Sequence, residues 1–321
     1  MRRLLAGRLL QGLAVLWIVA TLTFALLHLA PGDPFSYHDR RISPDIIAHW
    51  RHVYCLDRPM VVQYACYLRS MASGNLGYSI SQQRPVLDIL IDFVPRTIEL
   101  MSVALLFSFG IGIRLGVLEA RRRGELADWG TRAVALFFYS MPDFWLALML
   151  VLIFAYWIPI FPISGIEDVI NSPSFNGWQH FVDHVRHLVL PVVALVLLTC
   201  AAIARFQRAA MLDVMRMDFV VTARAKGATE DAVSSHHVLR NALLPIITLA
   251  GLTLPSLLGG AVLVELVFTW PGMGYITAAA VSNRDYALVM ASVLVTSVLV
   301  VLGNIVADLL YALADPRVRA A

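Results

Sequence analysis

Three histidines, His180, His184 and His187, follow one another with Asp183 between them. At i, i+4 and i+7 their imidazoles share one face of a helix, an arrangement that can ligate a transition metal. The competing reading is a set of histidines at a water interface. A second group consists of ionisable side chains inside apolar stretches: His28, Glu99, Arg114, Asp143, Glu265 and Asp308. Charges at membrane depth are costly, so they face a bundle interior or a cavity. Glu99 and Glu265 lie near the outer ends of their stretches and are candidates to touch a passing cationic amine or metal ion. The alternative is that they pair with helix ends, with Arg96 or with a neighbouring chain. Asp143 and Asp308, close to helix ends, read as packing and capping groups.

Enzymatic motifs are missing. The only lysine, Lys226, precedes a glycine instead of following one, so no G-x-x-x-x-G-K-[ST] phosphate loop can be written. Neither H-E-x-x-H nor G-x-S-x-G occurs. No catalytic residue is expected, no cofactor is expected on this chain, and any ATP and magnesium must be handled by other polypeptides.

The elements that position these residues follow from composition. Of 321 residues, 59% are apolar and 15% charged, with mean hydropathy +0.73. Soluble domains carry roughly 25% charged residues, so this chain cannot hide its apolar surface in its own core and the bilayer is its expected solvent. The net charge of +3 includes no basic tract suited to nucleic acid. Six apolar runs are long enough to span: 9–30, 97–118, 133–158, 188–206, 246–268 and 287–313. The first ends in "APGDP" with no small-residue cleavage site, and reads as an uncleaved span.

Basic residues set the orientation. With the N-terminus in the cytoplasm, fifteen Lys and Arg lie inside and nine outside. Seven of the nine fall in one long segment, 31–96, where the rule has least force. The expected topology is N-in, C-in. Segment 31–96, rich in aromatics and with the turn-prone "SGNLGYS" (73–79), reads as a small ordered external subdomain of two helices and a loop. Cys55 and Cys66 within it can pair if it faces an oxidising compartment; two free thiols are the alternative.

Between the fourth and fifth runs lies the polar stretch "TARAKGATEDAVSSHHVLRNALLP" (222–245), facing the cytoplasm. Locally it reads as two short helices around a break. Asp218 can cap a helix running from Phe219 to Lys226, and Gly227 suits the left-handed position that ends it. Thr229 can cap a second helix with Glu230 and Asp231 in its first turn, and Pro245 opens the next span. Ala223, Ala225 and Gly227 leave a low surface that another protein can approach. An ordinary solvated connection is the other local reading.

Residues 218–251 resemble the cytoplasmic coupling loop of ABC-transporter permeases, specifically the dipeptide/oligopeptide/nickel branch with its TARAKG and H-x-LRNAL-x-P. "LAPGDP" (29–34), "GNLGYS" and "RPV" (74–86), "VPRTIEL" (94–100), "MPDFWLAL" (141–148), "HLVLP" (187–191), "ELVFTWPGMG" (265–274) and "YALADPR" (311–317) resemble that branch in the same order. The Glu-Ala-Ala of the wider ABC pattern reads Val221-Thr222-Ala223 here, a departure this branch shares.

The resemblance implies an all-α membrane protein of the type I importer permease fold. Its organisation would be a first span at 1–30, an external insertion at 31–96, a five-helix core at 97–313 containing the coupling loop at about 207–245, and a tail at 314–321. It implies residence in a bacterial cytoplasmic membrane, a second homologous permease, two ABC ATPase subunits or domains, and an extracytoplasmic solute-binding protein. It also implies that Phe219, Thr222, Ala223, Arg224, Ala225, Lys226, Gly227, His237 and Arg240 receive the ATPase. It further implies a rigid lever held to the spans by Arg205 and Arg240. Pro255, Gly259 and Gly260 in the fifth run permit a kink or close helix contact. With Glu99, Glu265 and Phe268, Pro255 and Gly259 are the pathway and gate candidates. The rival from another class is an ion-gradient-driven transporter using Asp143, Glu265 and Asp308. It predicts inverted repeats that the sequence does not display.

Overall fold

The computed structural model describes residues 2–29, 51–52, 55–259 and 261–314. In hydrocarbon every N–H and C=O must be satisfied within the protein, which makes helix the default for long apolar runs. Apart from one short hairpin, the described regular structure is helical.

Helix α1 (Arg2–Leu29) turns Leu9, Leu13, Trp17, Leu22 and Leu26 outward, as a helix bathed in lipid would. Helix α2 (Met60–Ala72), in the external segment, is tied to it: the Thr21 and Tyr64 hydroxyls lie 2.6 Å apart, and His28 Nε2 lies 2.9 Å from Gln63 Oε1. Cys55 and Cys66 form a disulfide. A hairpin of β1 (Tyr78–Ser79) and β2 (Arg84–Pro85) follows, with Tyr78 opposite Pro85. Asp285, buried beneath it, accepts bonds from Ser79 Oγ (2.6 Å), Ser81 N (3.0 Å) and Ser81 Oγ (2.7 Å). Of the expected second external helix, residues 31–50 lie outside the described residues.

Helices α3 (Val86–Arg121) and α6 (Gly177–Val214) form the central pair. Helix α3 starts at Val86 instead of Thr97 and runs through Pro95, as α6 runs through Pro191. An Asn176–Gln179 capping box opens α6. A Cβ added at Gly112 would lie 2.7 Å from Ile203 Cβ, and one at Gly116 2.5 Å from the Ala204 carbonyl oxygen. The G-x-x-x-G at 112–116 therefore lets the two backbones meet. Just above, the Ser108 and Thr199 hydroxyls lie 2.5 Å apart.

Between these two helices the expected span 133–158 is broken. Helices α4 (Leu126–Tyr139) and α5 (Asp143–Val151, continued by a π-turn Leu152–Trp157) meet at 100°. Pro142 cannot donate to α4 and steers the residue before it away from helical geometry. After α6 come α7 (Asp218–Ala225), then α8 (Glu230–Ala232) with a π-turn Val233–Val238, and α9 (Leu239–Ala242). The expected span 246–268 is divided into α10 (Leu244–Gly259) and α11 (Val262–Val267). Helices α12 (Met273–Ser282) and α13 (Tyr286–Ala314) complete the chain. Against six expected spans, four helices among the described residues are long and apolar enough to cross a bilayer, or five if the bent α4–α5 pair counts as one.

Three apolar clusters hold the helices together. One joins α3, α5 and α6 around Leu100, Ala147, Leu188 and Trp270; one joins the start of α3 to α12 and α13; one sits under α7–α9. The disulfide is checkable by alkylation and mass spectrometry of the unfolded chain. Without reductant a single thiol, Cys200, should label; with reductant all three cysteines should.

Candidate functional site

The stretch after α6 folds as a two-helix elbow. Val220, Ala223, Val233, Val238 and Ala242 turn inward onto Ala120, Met211 and Val214. Their spacing gives the elbow its own apolar core, continuous with the ends of α3 and α6. Gly227 takes φ +85° and closes α7, and Ala228 N–H reaches back to the Ala223 carbonyl. Thr229 caps α8, accepting from Ala232 N–H at 3.3 Å. Asp218 does not cap α7: Met217 holds that position without a side-chain bond, and Asp218 is the first helical residue, where the dipole still favours an acid. Ala223 is not part of an outward surface either, because it is buried in the elbow's core.

Charge pairs lock the hinge between the two short helices. Arg224 Nε and Nη2 donate to both oxygens of Glu230, at 2.8 and 3.1 Å, and Arg121 of α3 bonds Asp231. The guanidinium beside it holds the Glu230 carboxyl below the usual glutamate range. Arg208 of α6 forks onto Asp128 of α4 at 3.2 and 3.1 Å. Among the described residues the links from the inner helix ends therefore run through Arg121 and Arg208, not through the expected Arg205 and Arg240. Facing outward are Met217, Phe219 (40% exposed), Val221 (58%), Thr222, Arg224, Ala225, Lys226, Gly227, His237 and Arg240. An apolar ridge beside a basic edge is thus presented at the cytoplasmic end.

At the opposite end a second constellation is closed rather than open. Glu265 is wholly buried, its carboxylate accepting from Thr97 Oγ1 and Tyr275 N–H, each at 3.0 Å. Thr97 Oγ1 in turn accepts from Met273 N–H at 2.7 Å, and Trp270 Nε1 donates to the Arg96 carbonyl at 3.0 Å. A Cβ on Gly272 would stand 2.5 Å from the Glu265 carboxylate, so the turn requires glycine there for close approach. Phe268 is buried beside Trp270.

Residues 112–320 match the protein family described as binding-protein-dependent transport system inner membrane component, and residues 1–101 match its N-terminal family. The chain belongs to this family. It is 42% identical over 315 residues to the di/tripeptide transport system permease protein DppB of Pseudomonas aeruginosa, covering 94% of each chain. It is 38% identical to the oligopeptide transport system permease protein AppB of Bacillus subtilis, over 97% of this chain and 98% of that one. The dipeptide transport system permease protein DppB of Escherichia coli is also 38% identical, with 94% of each chain covered. Among solved structures, an inward-facing MetNI methionine ABC transporter resembles the fold with TM-score 0.53 and 24% identity, over 74% of this chain and 97% of that one. The chain is therefore an all-α, multi-pass permease of the inner membrane, with the importer permease fold. None of these relatives supports the ion-gradient alternative.

Within this permease the other expected residues separate. His184 Nε2 lies 2.6 Å from Glu99 Oε1, and His187 Nδ1 lies 2.8 Å from the Asp183 carbonyl, while His180 approaches Glu167 at 4.0 Å. The three imidazoles serve different partners, and no group of three His, Cys, Asp or Glu among the described residues is arranged around a metal. Asp308 pairs with Arg8 of α1 at 3.0 Å, and Asp143 is the exposed first residue of α5. Of Pro255 and Gly259 only the backbone, within α10, is described, and Gly260 lies outside the described residues. Sequence reasoning passed over Asp128–Arg208, Arg121–Asp231 and Asp285. Of the missed features only the 112–116 glycine spacing carried a sequence signal.

Two outcomes follow. Gly272→Ala should lower the thermal midpoint of the purified permease, because overpacking against backbone and a buried carboxylate costs on the order of 1–3 kcal/mol. The Arg224–Glu230 pair stabilises the elbow above the ordinary glutamate range and loses that effect as pH falls through the lowered Glu230 value. Hydrogen exchange, corrected for its intrinsic pH dependence, should therefore speed in residues 218–238 below about pH 4, and Arg224→Gln should remove that step.

Proposed function

We propose that this chain forms half of the translocation path of an ATP-driven importer for di- or oligopeptides or related small solutes. A second homologous permease supplies the other half. Two ATPase subunits or domains dock under the elbow, and they alone bind and hydrolyse ATP with magnesium. A solute-binding protein delivers cargo to the outer face, partly on segment 31–96.

The observation that carries this reading is the elbow itself. Its inner face is welded to the ends of α3 and α6, while its outer face offers Phe219 and Val221 beside Arg224 and Lys226. A connection with no partner has no reason to leave large apolar side chains in water next to a bonded hinge. Force applied at that ridge reaches α6 without passing through a flexible joint. The peptide assignment comes from the relatives' names, and cargo choice is left to the delivering protein.

Phe219 is the proposed anchor, seated in a groove of the ATPase, with Lys226 and Arg224 meeting acidic or carbonyl groups around it. Phe219→Asp should abolish co-purification of the ATPase and ATP-dependent uptake while leaving the permease folded by thermal melting. Lys226→Ala should weaken association by about tenfold, as loss of one charged contact does at an interface rim or edge. Unchanged assembly and uptake in both variants would remove the elbow from the docking surface.

A further inference from the structure

Between the cytoplasmic half of α6 and the bent helix α4 lies a cavity of about 870 Å³ that the importer reading leaves without a role. Its two ends differ in chemistry. Glu119, Trp129, Arg132, Arg205 and Arg208 line the end nearest the cytoplasm; Ala135, Leu136, Tyr139, Ala201 and Ala202 line the end toward the middle of the membrane. Arg208 is neutralised by Asp128. Arg132 stacks over the Trp129 ring at 5.6 Å, and neither Arg132 nor Arg205 joins an ion pair among the described residues. With Asp128 and Glu119 set against Arg132, Arg205 and Arg208, one net positive charge is left at this end of an otherwise apolar slot.

Glu119 supplies the second, independent observation. It is 1% exposed and lines the same basic end. Thr131 bonds its carboxyl group, but Oε2 has no hydrogen-bond partner. A buried acceptor without a donor costs free energy, so such a group marks a place where a donor belongs.

We infer that this cavity holds one phospholipid of the cytoplasmic leaflet, its phosphodiester between Arg132 and Arg205 and a headgroup donor on Glu119 Oε2. One of its two acyl chains follows the alanine-lined end and the other lies outside it against exposed Leu136 and Phe206. Orientation agrees with chemistry: the basic end faces the side of the membrane where most Lys and Arg of the chain lie, and basic pockets there take anionic headgroups. The headgroup must carry a donor. Phosphatidylglycerol has hydroxyls and phosphatidylethanolamine an ammonium; phosphatidylcholine has neither an O–H nor an N–H. A dipeptide would satisfy the charged end but leave the apolar end unfilled.

The test is lipid retention by the full-length permease, purified in mild detergent with its co-purifying subunits and read by native mass spectrometry. The wild type should keep phosphatidylglycerol or phosphatidylethanolamine against excess phosphatidylcholine. The double variant Arg132→Gln/Arg205→Gln should hold it at least about tenfold more weakly, since each basic group near a headgroup contributes appreciably to its capture. Ala202→Trp fills the apolar end with both arginines intact and should evict the same lipid, which decides the matter if the double variant misfolds. Equal retention of phosphatidylcholine by the wild type, undiminished retention by a folded variant, or displacement of the lipid by a dipeptide would each overturn the proposal. The last would make the cavity part of the solute route.

Discussion

Helices α3 and α6 approach so closely at Gly112 and Gly116 that a single added methyl group has no room between them. In a bilayer there is no hydrophobic pressure pushing helices together, so association rests on packing contacts and on bonds between helices. The small residues on α3, the Ser108–Thr199 hydroxyl pair and the apolar clusters above and below supply both. The inner ends of that pair carry the elbow, its outer ends carry the Trp270 turn, and the bent α4–α5 element is folded against it. Helices α1 and α10 pack against α13.

The two ends are built on opposite electrostatic plans. Outside, a buried carboxylate is spent on the chain's own hydroxyls and amides: Glu265 on Thr97 and Tyr275, Asp285 on Ser79, Ser81 and Leu288. Such fully bonded acids hold turns in place because every alternative leaves donors unmet. Inside, the acids meet guanidinium groups instead: Asp128 with Arg208, Glu230 with Arg224, Asp231 with Arg121, Asp308 with Arg8. Most of these pairs are exposed, so each contributes little stability; Arg121–Asp231 ties the elbow to α3, Arg208–Asp128 ties α6 to α4, and Arg8–Asp308 ties α1 to α13.

Much of the lateral surface is left apolar. Leu9, Trp17 and Leu26 on α1, Leu126 and Phe137 on α4, and Leu252 on α10 stand exposed. That distribution is the reverse of a soluble domain and is what lipid or another membrane subunit would cover. The same surface explains why the sequence did not show the bend in the run 133–158. Apolarity marks what lies in hydrocarbon, but it is blind to whether a run is straight, and the run 133–158 reads as continuous although Pro142 folds it through 100°.

What the amino-acid order determined by itself was the class of protein and the local stops. Long apolar runs, the single lysine that rules out a phosphate loop, Gly227 after α7, Thr229 before α8 and Pro245 at the start of α10 act through hydropathy and backbone geometry within a few residues. Tertiary structure alone decided which charges meet. Glu265 looked like a path-lining acid and is enclosed by the chain's own hydroxyl and amide donors; Ala223 looked like surface and is core; Asp231 showed its place in a first turn but not its partner Arg121, and Asp128 and Asp285 carried no signal at all. Their partners stand far away in sequence, and a pairing across such a distance exists only once packed helices have brought the two groups within bonding range.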